Sequence, residues 1–153
     1  MSEHFATVRW QRGEHPFVKG RYSRKHEWHF DGGAIVPGSA SPQVVREPFS
    51  DAGAVDPEEA FVAALSSCHM LWFLSTAAER GFVVDDYDDQ AVGRMRENDE
   101  GKLVVAEVAL RPRARFNGTQ PTREQIVDMH HAAHESCFLA NSVKTDIRVE
   151  PRE

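Results

Sequence analysis

Two cysteines, Cys68 and Cys137, stand 69 residues apart in a chain of 153. Free cysteines are among the most buried residue types and often do nothing but pack. Here Cys68 keeps the polar company of Ser66, Ser67 and His69, and a second cysteine on a helix, Cys137, follows far along the chain. The thiolate is the reactive form of cysteine, and a free thiol is only about 3% ionised at pH 7, so a reactive Cys68 needs a cation brought to it. Arginine suits that task, being permanently charged and able to hold a thiolate and a carboxylate at once through its forked donors. The candidates are Arg46, upstream of Cys68, and Arg21 or Arg24 near the N-terminus. Glu58 is the natural carboxylate to orient such an arginine.

A second chemistry competes for the same residues. His130, His134 and Cys137 recur at i, i+4 and i+7, one face of a helix, and those side-chain types bind zinc. A fourth ligand would have to come from elsewhere, and no Cys-x-x-Cys or His-Glu-x-x-His accompanies them. The expectation is therefore no metal and no cofactor, with metal binding kept as the alternative.

The element that must position Cys68 runs from Asp56 to Gly81. Asp56 is an N-cap residue, Pro57 fits the first helical position, Glu59 has capping-box spacing, and Gly81 provides the left-handed stop. Phe61, Ala64, Leu65, Cys68, Leu71, Trp72 and Ser75 recur at helical spacing, yet Val62, Ala63, Phe73 and Leu74 leave little of the circumference polar. No charged residue lies between Ala60 and Ala78, close to the length a bilayer requires. Six polar residues dilute that stretch and its flanks are acidic, so a central helix of a soluble protein is expected and no membrane partner.

Glu58 precedes Cys68 by ten residues, which places their Cα atoms about 15 Å apart on different faces of one helix. Glu58 cannot serve the cysteine of its own chain. It is either a helix-start residue or it serves a second chain across a two-fold axis. An apolar helix too exposed for one small domain to cover points the same way, to a homodimer.

Upstream of this helix, Phe5–Trp10, Phe17–Tyr22, Glu27–Phe30 and Ala34–Val36 read as antiparallel strands, with a turn at Asp31-Gly32-Gly33. Residues 37–54 form a long broken loop. Downstream, Asp85–Asp89 reads as a solvated acidic turn without calcium-loop spacing. Residues 91–96 and 103–116 make a hairpin whose far end, at Pro112, lies at an edge or bulge. A second helix starts at Thr122, in capping-box spacing with Gln125, and runs to Cys137; Val143–Val149 closes the chain as a strand. Strands, long helix, hairpin, helix, strand is an α+β order without a βαβ repeat, and the length suits a single domain spanning residues 1–153. The net charge of −6 gives no support to a nucleic-acid partner. Met1-Ser-Glu-His-Phe5 lacks a basic n-region and an apolar run, so the cytoplasm is the expected compartment and a cycling thiol pair is favoured over a static disulfide.

The run Asp56-Pro-Glu-Glu-Ala-Phe, then Ala-Leu-Ser-Ser-Cys68-His, then Ala-His-Glu-Ser-Cys137 on a helix and Asn141-Ser-Val-Lys-Thr-Asp-Ile resembles the OsmC/Ohr family of thiol peroxidases, over roughly Trp28 to Val149. The Cys-His pair and Trp28-His-Phe-Asp-Gly-Gly resemble its OsmC-like branch. The resemblance implies an intertwined homodimeric α+β fold, antiparallel strands around a long central helix, with two sites at the subunit interface. The implied activity is reduction of organic hydroperoxides and hydrogen peroxide, with a thiol or dithiol reductant as second partner. It also implies Cys68 as peroxidatic cysteine, Cys137 as resolving cysteine and Glu58 as the carboxylate that orients an arginine. Arg46 resembles the OsmC-type loop arginine two residues off its spacing, and Arg21 or Arg24 the Ohr-type strand arginine. Phe61, Leu65, Trp72 and Phe138 would give bulky hydroperoxides an apolar mouth. A binding module for a small apolar ligand in the dimer groove, with both cysteines as packing, is the remaining alternative.

Overall fold

The computed structural model describes residues 1–152. The chain forms two compact units, Met1–Ala60 and a second that begins at Phe61. The first is built on an antiparallel sheet of β1 (Ala6–Arg9), β2 (His26–Phe30) and β3 (Ile35–Gly38), in which Trp28 stands opposite Val8 on one side and Val36 on the other. The expected turn joins β2 to β3: Gly33 takes a positive φ of 89°, which glycine adopts without strain, and the Gly33 N–H donates to the Phe30 carbonyl.

Phe17–Tyr22 does not form the expected strand. Gly20 turns the chain at φ 69°, Phe17 and Tyr22 stack at 4.6 Å, and Trp10 meets Tyr22 edge-on at 5.6 Å. The Arg24 guanidinium lies 3.8 Å over the Tyr22 ring and donates to the carbonyls of Gly20 and Tyr22. These rings satisfy one another rather than a sheet face. The long loop after β3 is irregular as expected, held by Ser39, whose hydroxyl accepts from the Asp51 N–H at 3.0 Å, and by backbone bonds between Val55 and both Pro37 and Ser39.

The long helix α1 covers Pro57–Glu79. Its start is a true capping box: the Asp56 carboxylate accepts from the Glu59 N–H at 2.8 Å and the Glu59 carboxylate from the Asp56 N–H at 3.1 Å. Gly81 ends it at φ 80°. By length and composition it could cross a membrane, yet it contributes Leu65, Phe73 and Ala77, all essentially unexposed, to two apolar clusters. Only 22% of its most apolar 18-residue stretch is buried, however, and Leu71 is 61% exposed.

In the second unit, β4 (Val83–Asp89) pairs with β7 (Pro112–Asn117), while β5 (Val92–Glu97), β6 (Leu103–Leu110) and β8 (Asp146–Val149) make a three-stranded sheet. The acidic stretch Asp85–Asp89 is thus a strand, not a turn. Its carboxylates are matched from outside the segment: Asp86 pairs with Arg115, Asp88 with Arg152, and Asp89 accepts from the Arg111 N–H at 2.6 Å and the Ser66 hydroxyl at 2.5 Å. Residues 103–116, expected as one arm, are two strands parted at Arg111, with Pro112 opening the second. β6 and β8 run parallel. The second helix, α2 (Arg123–Ser136), starts at the expected Thr122–Gln125 capping box and ends with Cys137 as its C-cap. One apolar cluster gathers Phe73, Ala77, Phe116, Met129 and Ala133, where α2 meets α1; the other gathers Leu65, Val108 and Leu110. The α+β class holds, with two helices and mainly antiparallel sheets.

Candidate functional site

Cys68 lies midway along α1 and is half-buried; Cys137, at the end of α2, is 1% exposed. Both are free thiols, and Cys68 lies near enough to Cys137 to act on its ionisation. Burial, and after it the neighbouring Cys68 thiol, pushes the Cys137 thiol up to about 11, while the backbone N–H groups of Ala140 and Leu139 pull more weakly the other way. Cys137 is thus a protonated thiol at neutral pH, sealed from solvent and facing Cys68. Around them, Trp72 and Phe138 meet edge to face at 5.4 Å, with Phe138 69% exposed. Of the expected apolar mouth, Leu65 is instead fully in the core and Phe61 packs against the same cluster.

The residue after Cys68, read from the sequence only as a polar neighbour of the thiol, takes a core position. The buried stripe of α1 is Leu65, His69, Phe73, Ala77, at strict spacing of four, one position round from the stripe expected through Cys68. His69, 1% exposed, faces His130 of α2, 4% exposed. Their rings are nearly parallel, 8° apart, and His69 Nε2 lies 3.0 Å from His130 Nδ1. Phe73 stacks on His130 at 4.2 Å. Burial, reinforced by the neighbouring imidazoles, lowers the pKa of His69 to about 4 and of His130 to about 3. Both rings are neutral at physiological pH. The signal lay in the sequence as histidine at i+4 from Leu65 and i−4 from Phe73, a polar residue at core spacing.

His130 Nδ1 is engaged by His69, the buried Nδ1 of His134 has no hydrogen-bond partner, and among the described residues no group of three or more His, Cys, Asp or Glu gathers as a metal site.

Glu58 and Arg46 belong to the first unit, the two cysteines to the second. Glu58 is half-buried in the first turn of α1, where Glu59 rather than Glu58 closes the capping box. The helix continues unbroken to Cys68, so the separation of about 15 Å stands. Arg46 is exposed on the long loop, and no hydrogen bond or ion pair among the described residues engages its guanidinium. Arg21 is exposed, and Arg24 is occupied by Tyr22 and the two backbone carbonyls.

A family model described as OsmC-like protein matches residues 50–152. No curated protein matches the sequence. Among solved structures, an OsmC-like protein of unknown function from Vibrio cholerae is 53% identical, with a TM-score of 0.97, over 99% of this chain and 100% of that one. An organic hydroperoxide resistance protein OsmC from Legionella pneumophila is 17% identical at a TM-score of 0.71, over 100% and 98% of the two chains. The organic hydroperoxide resistance protein OhrB of Bacillus subtilis is likewise 17% identical, at 0.68, over 99% and 98%. The last two share the fold, whereas the Vibrio protein and the family model share the sequence as well: the chain belongs to the OsmC-like family.

Proposed function

We propose that this chain is a thiol peroxidase that reduces organic hydroperoxides and hydrogen peroxide. The observation that carries the reading is the proximity of a half-buried Cys68 to a sealed, protonated Cys137. The hydroperoxide resistance proteins of the same fold lend it support. The Cys68 thiolate attacks the distal oxygen of the peroxide; the O–O bond breaks, an S–O bond forms, and the leaving alkoxide takes a proton to depart as alcohol. Cys137 then attacks the sulfenic sulfur. Its own proton leaves with the hydroxyl group as water, and the S–S bond closes. An external thiol or dithiol returns both cysteines to the reduced state, supplying two electrons and two protons.

A thiolate within apolar surroundings needs a cation. In this reading the helix surface left open on α1 is covered by a second copy of the chain, and the site is completed by Arg46, oriented by Glu58, of that copy; Arg21 and Arg24 are the other candidate cations. The protein acts in the cytoplasm, where reductants keep the pair cycling.

The test is one equivalent of tert-butyl hydroperoxide added to the reduced protein, followed by mass-spectrometric mapping. An intrachain Cys68–Cys137 disulfide should form and be lost in both Cys68→Ser and Cys137→Ser. Oxidation of Cys68 no faster than that of a free model thiol would leave both cysteines as packing.

A further inference from the structure

We infer that the buried His69–His130 hydrogen bond is a positioning device that sets α1 against α2 so that the thiols of Cys68 and Cys137 meet. The inference rests on the thiol-pair reading above and adds two residues to it. Apolar packing is not directional, so the cluster of Phe73, Ala77, Met129 and Ala133 that joins α1 to α2 resists separation more than it resists a small slide or roll. A hydrogen bond is directional, with a preferred length and angle. The bond at 3.0 Å between His69 Nε2 and His130 Nδ1 is a cross-helix polar contact within a stripe otherwise made of Leu65, Phe73 and Ala77. It lies one residue from Cys68 on α1. On α2, two helical turns separate His130 from Cys137, and the helix is unbroken between His130 and Ser136.

The tautomers follow from what surrounds the rings. His69 Nδ1 is buried without a partner. An orphaned buried N–H is rarer than an orphaned acceptor, so the His69 proton sits on Nε2 and is donated to His130 Nδ1. Phe73, stacked on His130, fixes the plane of the accepting ring. Leucine or phenylalanine at these positions would fill the space without bringing two polar rings out of water. What the imidazoles add is geometry. A disulfide needs its sulfurs at about 2.05 Å and its Cα atoms within about 7 Å, and a misplacement of an ångström is enough to cost an intramolecular reaction orders of magnitude.

The experiment measures the effective concentration of one thiol for the other, by equilibrating the full chain with oxidised and reduced glutathione. In that reaction the two protein thiols give two electrons and two protons to oxidised glutathione, the protein S–S bond forms, and two glutathione thiols are released. His69→Leu and His130→Leu should each lower the effective concentration about tenfold or more. His69→Gln puts an amide donor where Nε2 stood, and His130→Asn an amide oxygen where Nδ1 stood, so both should return it close to the wild-type value. Val108→Ala weakens the other apolar cluster without touching the bond and should leave it unchanged. Should a single leucine variant not fold, the double variant, which leaves neither imidazole of the pair without its partner, takes its place. Leucine variants that close the disulfide as well as the wild type would overturn the positioning role while leaving the thiol-pair reading intact. A wild-type protein that forms no disulfide under any glutathione ratio would remove that reading and this inference with it.

Discussion

Lowering the pH from 7.5 to 5 tests the buried imidazoles without reference to any reaction. In the unfolded chain a histidine titrates near 6.5, and at pH 5 its protonation stabilises that state by about 2 kcal/mol. In the folded protein His69 and His130, with pKa values of about 4 and about 3, remain neutral at pH 5 and gain nothing. The unfolded state therefore binds more protons, and stability falls as pH falls. The contribution is complete above about 6.5, is lost progressively below it, and levels off once the folded state itself protonates between about 4 and about 3. Together the pair should cost about 4 kcal/mol at pH 5, a large share of the roughly 5–15 kcal/mol of an ordinary domain. Urea unfolding at pH 7.5 and pH 5, at one protein concentration, gives the loss directly. The remaining histidines and the carboxylates contribute to the raw difference, so the informative quantity is the comparison with His69→Leu/His130→Leu. That variant should be flatter with pH by about 4 kcal/mol, and each single variant by about 2 kcal/mol. Equal losses in wild type and double variant would mean that the two rings are hydrated or charged in the folded protein, and the account of their burial would be wrong.

Two further outcomes follow from the same geometry. With its pKa near 11, Cys137 carries about a hundredfold less thiolate at pH 8 than a free thiol, so iodoacetamide should modify it at least that much more slowly under native conditions and at the ordinary rate in urea; rapid native labelling would contradict its burial. A Cβ added at Gly93 would stand 2.6 Å from Val62 Cγ2, so Gly93→Ala should destabilise the protein by about 1–3 kcal/mol in urea unfolding, and a neutral result would show that β5 and α1 are less closely packed than described.

How much could be read from the chain alone depended on how local the physics was. Both helix starts were legible, because Asp56 with Glu59 and Thr122 with Gln125 satisfy each other within four residues. Gly81 was legible as a stop for the same reason. Asp85–Asp89 was not, since the groups that let five mostly acidic residues lie in a strand are Arg111, Arg115 and Arg152, far along the chain. Phe17–Tyr22 has strand-like residues, but its rings pack on one another and on Trp10. The site divides in the same way. Cys68 and Cys137 drew notice by residue type, and their proximity required the tertiary structure. His69 was hidden because α1 is apolar almost all round: a stripe through Cys68 and a stripe through His69 fit the sequence about equally well, and only the partners on α2 distinguish them.

That displacement by one position bears on the proposed chemistry. Residues 68 and 69 point about 100° apart on a helix, so a core stripe through His69 turns Cys68 to the margin of the core rather than its centre. A thiol at the centre would be as sealed as Cys137 and could not be reached by a substrate. One turned fully outward would lose contact with its partner. At the margin, Cys68 is open on one side and neighbours Cys137 on the other, while Cys137 keeps its proton through burial. Under the proposed mechanism this asymmetry assigns the order of events. The accessible sulfur meets the oxidant, and the buried one, poor as a nucleophile while protonated, gains reactivity only when a sulfenic acid forms against it and offers its proton a departing hydroxyl. The same asymmetry limits what the chain can do alone, because the open side of Cys68 is the side from which α1 lacks cover, and a guanidinium supplied there by a second copy would charge the first sulfur without reaching the second.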